Sequence, residues 1–384
     1  MKKIFLLSLA ITSFLGAFAQ GTWTQKANLV TGGTVTEAAA FSIGGKGYIG
    51  ASTADLWEYD TVTNAWTSLG PFLGTARTGG VGFSIGNNGY FGTGGSLNDF
   101  YRWYEPTNNW TARMNFGGSA REGACGLAIN GKGYIGFGGS YERDWWEYDT
   151  TANTWTQKAS LPGATRYHAG AFAIDNKGYI CCGFNGSFLN DLWEYDQASN
   201  SWTQKASLPG TQRDRPSAFS IGARGYVGTG WSGAMLNDFW EWDQATNTWT
   251  QKANFGGSAC YDAVGFSIGD KGYIGTGTGI GTNNFWQYSP DTIVLTSVLE
   301  RIEKARVSFF PNPFHQEATL VVPGELLTQK CELKIIDAFG KIVREQRIEM
   351  MSSPITRNDL PAGIYFYEVA IGNKQIASGK ILLE

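Results

Sequence analysis

Four arginines of this chain share one register. Arg77, Arg121, Arg166 and Arg213 each stand six residues before the middle of a short apolar segment, centred on Phe83, Leu127, Phe172 and Phe219. The equivalent positions before Phe41 and Phe266 hold Val35 and Cys260. The next two positions carry Glu37, Glu122, Tyr167, His168, Asp214, Arg215, Tyr261 and Asp262 in different copies. Guanidinium forks bond carboxylates and hydroxyls in a plane, carboxyl groups accept or move protons, and aromatic rings offer apolar faces. This set is a candidate ligand-binding face. Tyr141, Phe184, Phe188, Trp231 and Met235 lie in segments expected to open on the same side.

Other chemistry has less material. The only two histidines are His168 and His315, with no His-x-x-x-His or Cys-x-x-Cys spacing. No metal site and no cofactor are therefore expected. Glycine strings such as Gly275-Thr276-Gly277 open no helix and read as turns, not phosphate cradles. No residue can be assigned a catalytic role from spacing alone.

The elements that must position these residues are repeats. A Gly-Tyr strand recurs at Tyr48, Tyr90, Tyr134, Tyr179, Tyr226 and Tyr273, with separations of 42, 44, 45, 47 and 47 residues. A second motif, Asp55-Leu56-Trp57-Glu58-Tyr59-Asp60, returns in full or degenerate form to Asn284-Phe285-Trp286-Gln287-Tyr288. A third, Trp-Thr, occurs at Trp23, Trp66, Trp110, Trp155, Trp202 and Trp249. Each unit reads as four short strands, the spacing expected of a propeller blade. Six copies predict six blades. Trp23 precedes the first unit and nothing of its kind follows Tyr288, so residues 22–28 are expected to complete the last blade and close the ring. Asp60, Asp149, Asp196 and Asp243 recur at one blade position, which assigns them to the scaffold.

Composition agrees with an all-β chain: 384 residues, 52 glycines, 14% aromatic residues and only 16% charged ones. A formal net charge of −3, with no basic run beyond Lys2-Lys3, gives no reason to expect a nucleic-acid partner. Residues 1–19 read as a signal peptide, with Lys2-Lys3 before an apolar stretch and Ala17-Phe18-Ala19 before Gln20. No later segment is apolar for long enough to span a bilayer, so none is expected in the mature protein. Cys125, Cys181, Cys182, Cys260 and Cys331 are odd in number and irregularly spaced, and read as small buried residues. The neighbours Cys181 and Cys182 should point to opposite faces of a strand.

The Gly-Tyr strand, the aromatic-x-Tyr-Asp strand and turns such as Thr246-Asn247-Thr248-Trp249-Thr250 make residues 20–290 resemble the kelch family. The resemblance implies a six-bladed β-propeller. It says little about function, because kelch propellers include enzymes, glycan binders and protein scaffolds. The family's pattern also implies that the arginines can bond backbone carbonyls of neighbouring blades.

Beyond a linker over 291–306, residues 307–384 carry a different pattern: Pro311-Asn312-Pro313, Ile336-Asp337-Ala338-Phe339-Gly340-Lys341, Leu360-Pro361-Ala362-Gly363-Ile364-Tyr365 and Gly379-Lys380-Ile381-Leu382. Five strand-like stretches separated by turn residues fit a small Ig-like β-sandwich. These residues resemble the C-terminal sorting domain of the type IX secretion system of Bacteroidetes. The resemblance implies passage through the periplasm and engagement by that machinery. Release from the cell or attachment to its outer surface would follow.

Two functions of different class follow as expectations. One is a secreted or surface-bound binding protein, monomeric, that takes a glycan or protein ligand at the channel mouth. The other is a carbohydrate isomerase, epimerase or lyase using Glu122, Asp214, Asp262, Tyr167 or His168 as acid and base. The enzyme reading requires an acid, His168 and two arginines to converge in one pocket.

Overall fold

The computed structural model describes residues 20–290 except 32, 51, 53–54 and 280–282, and residues 307–384 except 323–330 and 372–373. The leader and the linker over 291–306 lie outside these described residues. The chain divides into two compact units, Met1–Asp291 and Thr292–Glu384.

Among its described residues the first unit contains six four-stranded antiparallel sheets. Their first strands are Ala39–Ile43, Val81–Ile85, Cys125–Ile129, Gly170–Ile174, Ser217–Ile221 and Val264–Ile268. Each packs beside the next, and Val264–Ile268 packs back against Ala39–Ile43, so the sheets close into a ring. The unit is a β-propeller.

Glycine makes the close blade-to-blade packing possible. A Cβ on Gly47 would lie 2.4 Å from the Phe266 ring, and one on Gly89 would lie 2.2 Å from Phe41. The same contact repeats at Gly133 with Phe83, Gly225 with Phe172 and Gly272 with Phe219. These glycines thus seat the strand-one ring of the neighbouring sheet, while Gly178 faces Leu127 and Ile129 instead.

Polar groups of the repeat are spent on the scaffold. Asp60, Asp149 and Asp243 each accept two backbone N–H groups of the following turn. Asn64, Asn153, Asn200 and Asn247 accept from an aromatic side chain of their own blade and from a backbone N–H of a neighbour. The Trp-Thr tryptophans extend the clasp: Trp202 Nε1 donates to Ala159 O at 2.8 Å, and Trp249 Nε1 to Ala206 O at 2.7 Å.

Closure uses the N-terminal strand. Thr22–Lys26 pairs antiparallel with Phe285–Ser289, with Trp23 opposite Tyr288. Trp23 Nε1 donates to Ala253 O at 3.1 Å, the link its counterparts make elsewhere in the ring. Its indole also meets Phe239, Phe255 and Tyr288 at 5.0–5.1 Å.

All five cysteines are buried and unpaired in disulfides. The expectation that Cys181 and Cys182 point apart is corrected: their Sγ atoms lie 3.1 Å from each other. Cys182 leaves the strand with φ +66°, a left-handed turn that breaks the side-to-side alternation.

In the second unit, Ser308–Phe310, Glu317–Val321 and Ser352–Thr356 form one sheet, and Ile342–Ile348, Cys331–Asp337, Gly363–Ile371 and Lys374–Leu383 form the other. Leu320, Leu333, Ile335, Ile355, Val369 and Ile381 fill the space between them. The motif residues have structural work in this sandwich. Asn312 donates from Nδ2 to Lys380 O at 2.6 Å and accepts from Leu382 N at 2.8 Å, tying the segment of Pro311 and Pro313 to the last strand. Tyr365 is buried and donates to Pro361 O, and Arg357 Nε donates to Leu360 O. A Cβ on Gly379 would meet the Tyr367 ring at 2.6 Å, while Gly363 has only a distant contact with Tyr365. Lys380 is exposed.

Candidate functional site

The four arginines do not line the channel mouth, and their assignment as ligand contacts is corrected. Arg77, Arg121, Arg166 and Arg213 are 7%, 2%, 0% and 0% exposed. Each guanidinium turns back into its own sheet and meets the aspartate that opens the third strand. Arg166 donates to both oxygens of Asp191 at 2.8 and 2.7 Å, and Arg213 to both of Asp238 at 2.6 Å. Arg121 grips Asp144 in the same way, and Arg77 pairs with Asp99. A backbone carbonyl completes each site: Thr93, Phe137, Cys182 or Thr229. Burying four guanidinium groups requires such partners, because an unpaired buried charge is prohibitively costly.

The mouth is built two residues later. Glu37, Gly79, Gly123, His168, Arg215 and Asp262 occupy the same place in the six sheets, four residues before the strand centre. All six have positive φ, from 46° to 68°. Five backbone hydrogen bonds join them around the channel: Gly79 to Glu37, Gly123 to Gly79, His168 to Gly123, Arg215 to His168 and Glu37 to Asp262, donor first. Left-handed backbone suits glycine and costs other residues about 1 kcal/mol or more. Four charged or polar residues held in that conformation around one opening constitute a functional signal.

Their side chains converge over a cavity of about 120 Å³. Arg215 Nε donates to His168 Nδ1 at 2.9 Å. Arg215 Nε also lies 3.4 Å from Asp262 Oδ1 and 3.8 Å from Asp214 Oδ2. Glu37 Oε1 faces both His168 Nε2, at 3.9 Å, and Arg215 Nη2, at 3.8 Å. Gly123 gives the imidazole its place, since a Cβ there would fall 2.5 Å from His168 Cδ2.

Burial, then the nearby Arg215 charge, lowers the His168 pKa to about 3, so the ring is neutral and accepts through Nδ1. Burial, reinforced by Glu37 and Asp214 against the pull of Arg215, raises Asp262 to about 7. Burial likewise raises Asp214. Asp214 is 4% exposed, and its Oδ1 has no hydrogen-bond partner.

Two aromatic groups flank this cluster. Tyr167 lies 4.4 Å from the His168 ring and meets Tyr141 and Phe184 at 5.3 and 5.8 Å. Tyr261 lies under the Arg215 guanidinium at 5.6 Å and meets Trp231 at 5.3 Å. Strand-like bridges of Tyr167 with Phe184 and of Asp214 with Trp231 fix these walls. Glu122 is exposed on the glycine side, and among the described residues its side chain makes no ion pair with the cluster.

The structure therefore brings together Glu37, His168, Arg215, Asp262, Asp214, Tyr167, Tyr261, Trp231 and Tyr141. Of the arginines, only Arg215 joins them. Among the described residues no group of three or more His, Cys, Asp or Glu side chains could hold a metal ion.

The ring of four-stranded sheets and its polar mouth define a kelch-type β-propeller. The family described as Kelch motif matches residues 165–209, and the family described as Secretion system C-terminal sorting domain matches residues 308–384. The chain thus carries a Kelch motif within its propeller and a match to a secretion-system sorting domain at its C-terminal end. A solved structure titled "Structure of YjhT" is similar over 66% of this chain and 94% of its own length, with 16% identity and a TM-score of 0.59. At that identity the likeness speaks to fold alone. No curated protein matches the chain.

Proposed function

We propose that this protein is a secreted or cell-surface binding protein whose glycan or protein ligand docks at the propeller mouth. The observation that carries this reading is the convergence of Glu37, His168, Arg215 and Asp262 over one cavity, between the aromatic groups of Tyr167 and Tyr261. Concave polar sites with aromatic walls bury a ligand face and fix its orientation with few hydrogen bonds. Binding of the full chain to a glycan array and to candidate protein ligands, beside Arg215→Gln and His168→Ala variants, tests it. Equal binding by both variants would remove the mouth from the mechanism.

Export follows from the C-terminal unit in this reading. The leader directs the chain to the periplasm, and type IX machinery then carries it across the outer membrane. Deleting residues 307–384 should retain the propeller in the periplasm, and normal surface delivery of that truncation would defeat the assignment.

A carbohydrate isomerase, epimerase or lyase is the second reading. One observation favours it: Asp262, raised to about 7, sits near Glu37 and could exchange a proton near neutrality. The buried arginines weigh against it, since Arg215 alone reaches the cluster. Product analysis after incubation with sugars, with Asp262→Asn as control, separates the two readings.

A further inference from the structure

We infer that the mouth selects a neutral, polyhydroxylated sugar ring and rejects carboxylated or sulfated sugars. The inference rests on the mouth being the docking site.

Apart from the Arg215–His168 bond, the donors of the mouth stand close to Glu37 without bonding it. Among the described residues, Arg215 makes one side-chain hydrogen bond, through Nε to His168, which leaves Nη1 and Nη2 without a direct acceptor. Neutral His168 accepts at Nδ1 and so carries its proton on Nε2, 3.9 Å from Glu37 Oε1. Arg215 Nη2 stands 3.8 Å from the same oxygen. These gaps are too long for direct hydrogen bonds and short enough for one intervening hydroxyl. A hydroxyl accepts from the guanidinium or imidazole and donates to the carboxylate. A ligand carboxylate can only accept, and an ammonium can only donate.

Charge points the same way. Glu37, Asp214 and Asp262 surround the single guanidinium of Arg215, and His168 adds nothing. The four other arginines that could have drawn an anion are already neutralised by Asp99, Asp144, Asp191 and Asp238 inside the sheets. An anionic sugar would enter a site with carboxyl groups in excess. Tyr167 beside His168 and Tyr261 beneath Arg215 offer apolar ring faces at the edge of the cluster.

The test uses the full chain on an array that prints neutral hexose-ended oligosaccharides beside the same backbones ended in uronic acid or bearing sulfate, with calorimetry on the hits. Neutral ends should bind at least tenfold more tightly than their charged counterparts. Glu37→Gln should narrow that gap by raising uronate binding, while Arg215→Gln should abolish binding to neutral ends. Arg215→Lys, which keeps the charge, and thermal melts of each variant separate loss of contact from loss of fold. Uronate- or sulfate-ended probes binding as well as neutral ones would overturn the inference and leave the mouth as the docking site. Hits retained at full affinity in both Glu37→Gln and Arg215→Gln would overturn the docking reading as well.

Discussion

The Nε–H of Arg215 donates to Nδ1 of His168 at 2.9 Å, joining two neighbouring blades at the channel mouth. This bond assigns the imidazole its tautomer and keeps a cation beside a ring that burial already holds neutral. His168 should therefore show no protonation between pH 5 and 8 when its ring resonances are followed by NMR. A midpoint near 6.5 would mean that the ring is exposed and the bond absent.

His168 and Asp262 act oppositely on stability. His168 titrates near 3 when folded and near 6.5 when unfolded, so its contribution is complete above about 6.5 and is lost as pH falls toward 3. Asp262 titrates near 7 when folded against an ordinary 3.8, so its contribution is complete below that value and is lost as pH rises through 7. Glu37, Asp214 and Arg215 are the charged groups facing it. Asp262→Asn should raise the melting temperature most above pH 7, less at pH 5 and little near pH 3.8. A melt series across that range reads the difference.

Arg166→Ala and Arg213→Ala should destabilise by about 3 kcal/mol, because each empties a buried guanidinium site and leaves a half-buried aspartate without its cation. Denaturant titration measures this. Mouth binding, assayed at a temperature where each variant remains folded, should be unchanged. The repeats show the coupling in part: the blade with Val35 at the arginine position keeps Asp55, which accepts from Ser68 Oγ at 2.8 Å. Cys260 replaces the arginine in the blade where Asn284 replaces the aspartate, and there Trp286 Nε1 is left without an acceptor.

Gly123→Ala and Gly79→Ala share a left-handed backbone and so share its strain of about 1 kcal/mol. They differ in what the new Cβ meets. At Gly123 it falls 2.5 Å from His168 Cδ2, whereas at Gly79 the nearest atom is 3.1 Å away. Ligand affinity should drop far more in Gly123→Ala, and equal losses would show that the imidazole position does not matter.

Trp23→Ala should cost about 2 kcal/mol, since the indole is partly buried among Phe239, Phe255 and Tyr288 and bonds Ala253. Removing residues 20–28 should do more, exposing the edge of Phe285–Ser289 and promoting association. Light scattering beside the melt distinguishes edge exposure from simple destabilisation.

Strand order, the repeated packing residues and closure through Trp23 were legible from the sequence, because they depend on local alternation and on motifs recurring at near-constant spacing. The sandwich motifs around Asn312, Tyr365 and Gly379 were legible for the same reason. The binding face was only half legible. Glu37, His168, Arg215 and Asp262 share a column with Gly79 and Gly123, and two glycines at one repeat position signal a left-handed backbone that makes the charged occupants unusual. What no spacing could decide is where a long side chain ends. An arginine six residues before a strand centre can reach the mouth or fold back onto its own aspartate, and the low cost of a paired charge against an unpaired one sends it inward. Residues about fifty to two hundred positions apart then meet at the mouth. Their burial and mutual charge, which exist only in the closed ring, set the pKa values and the donor-acceptor pattern of the site.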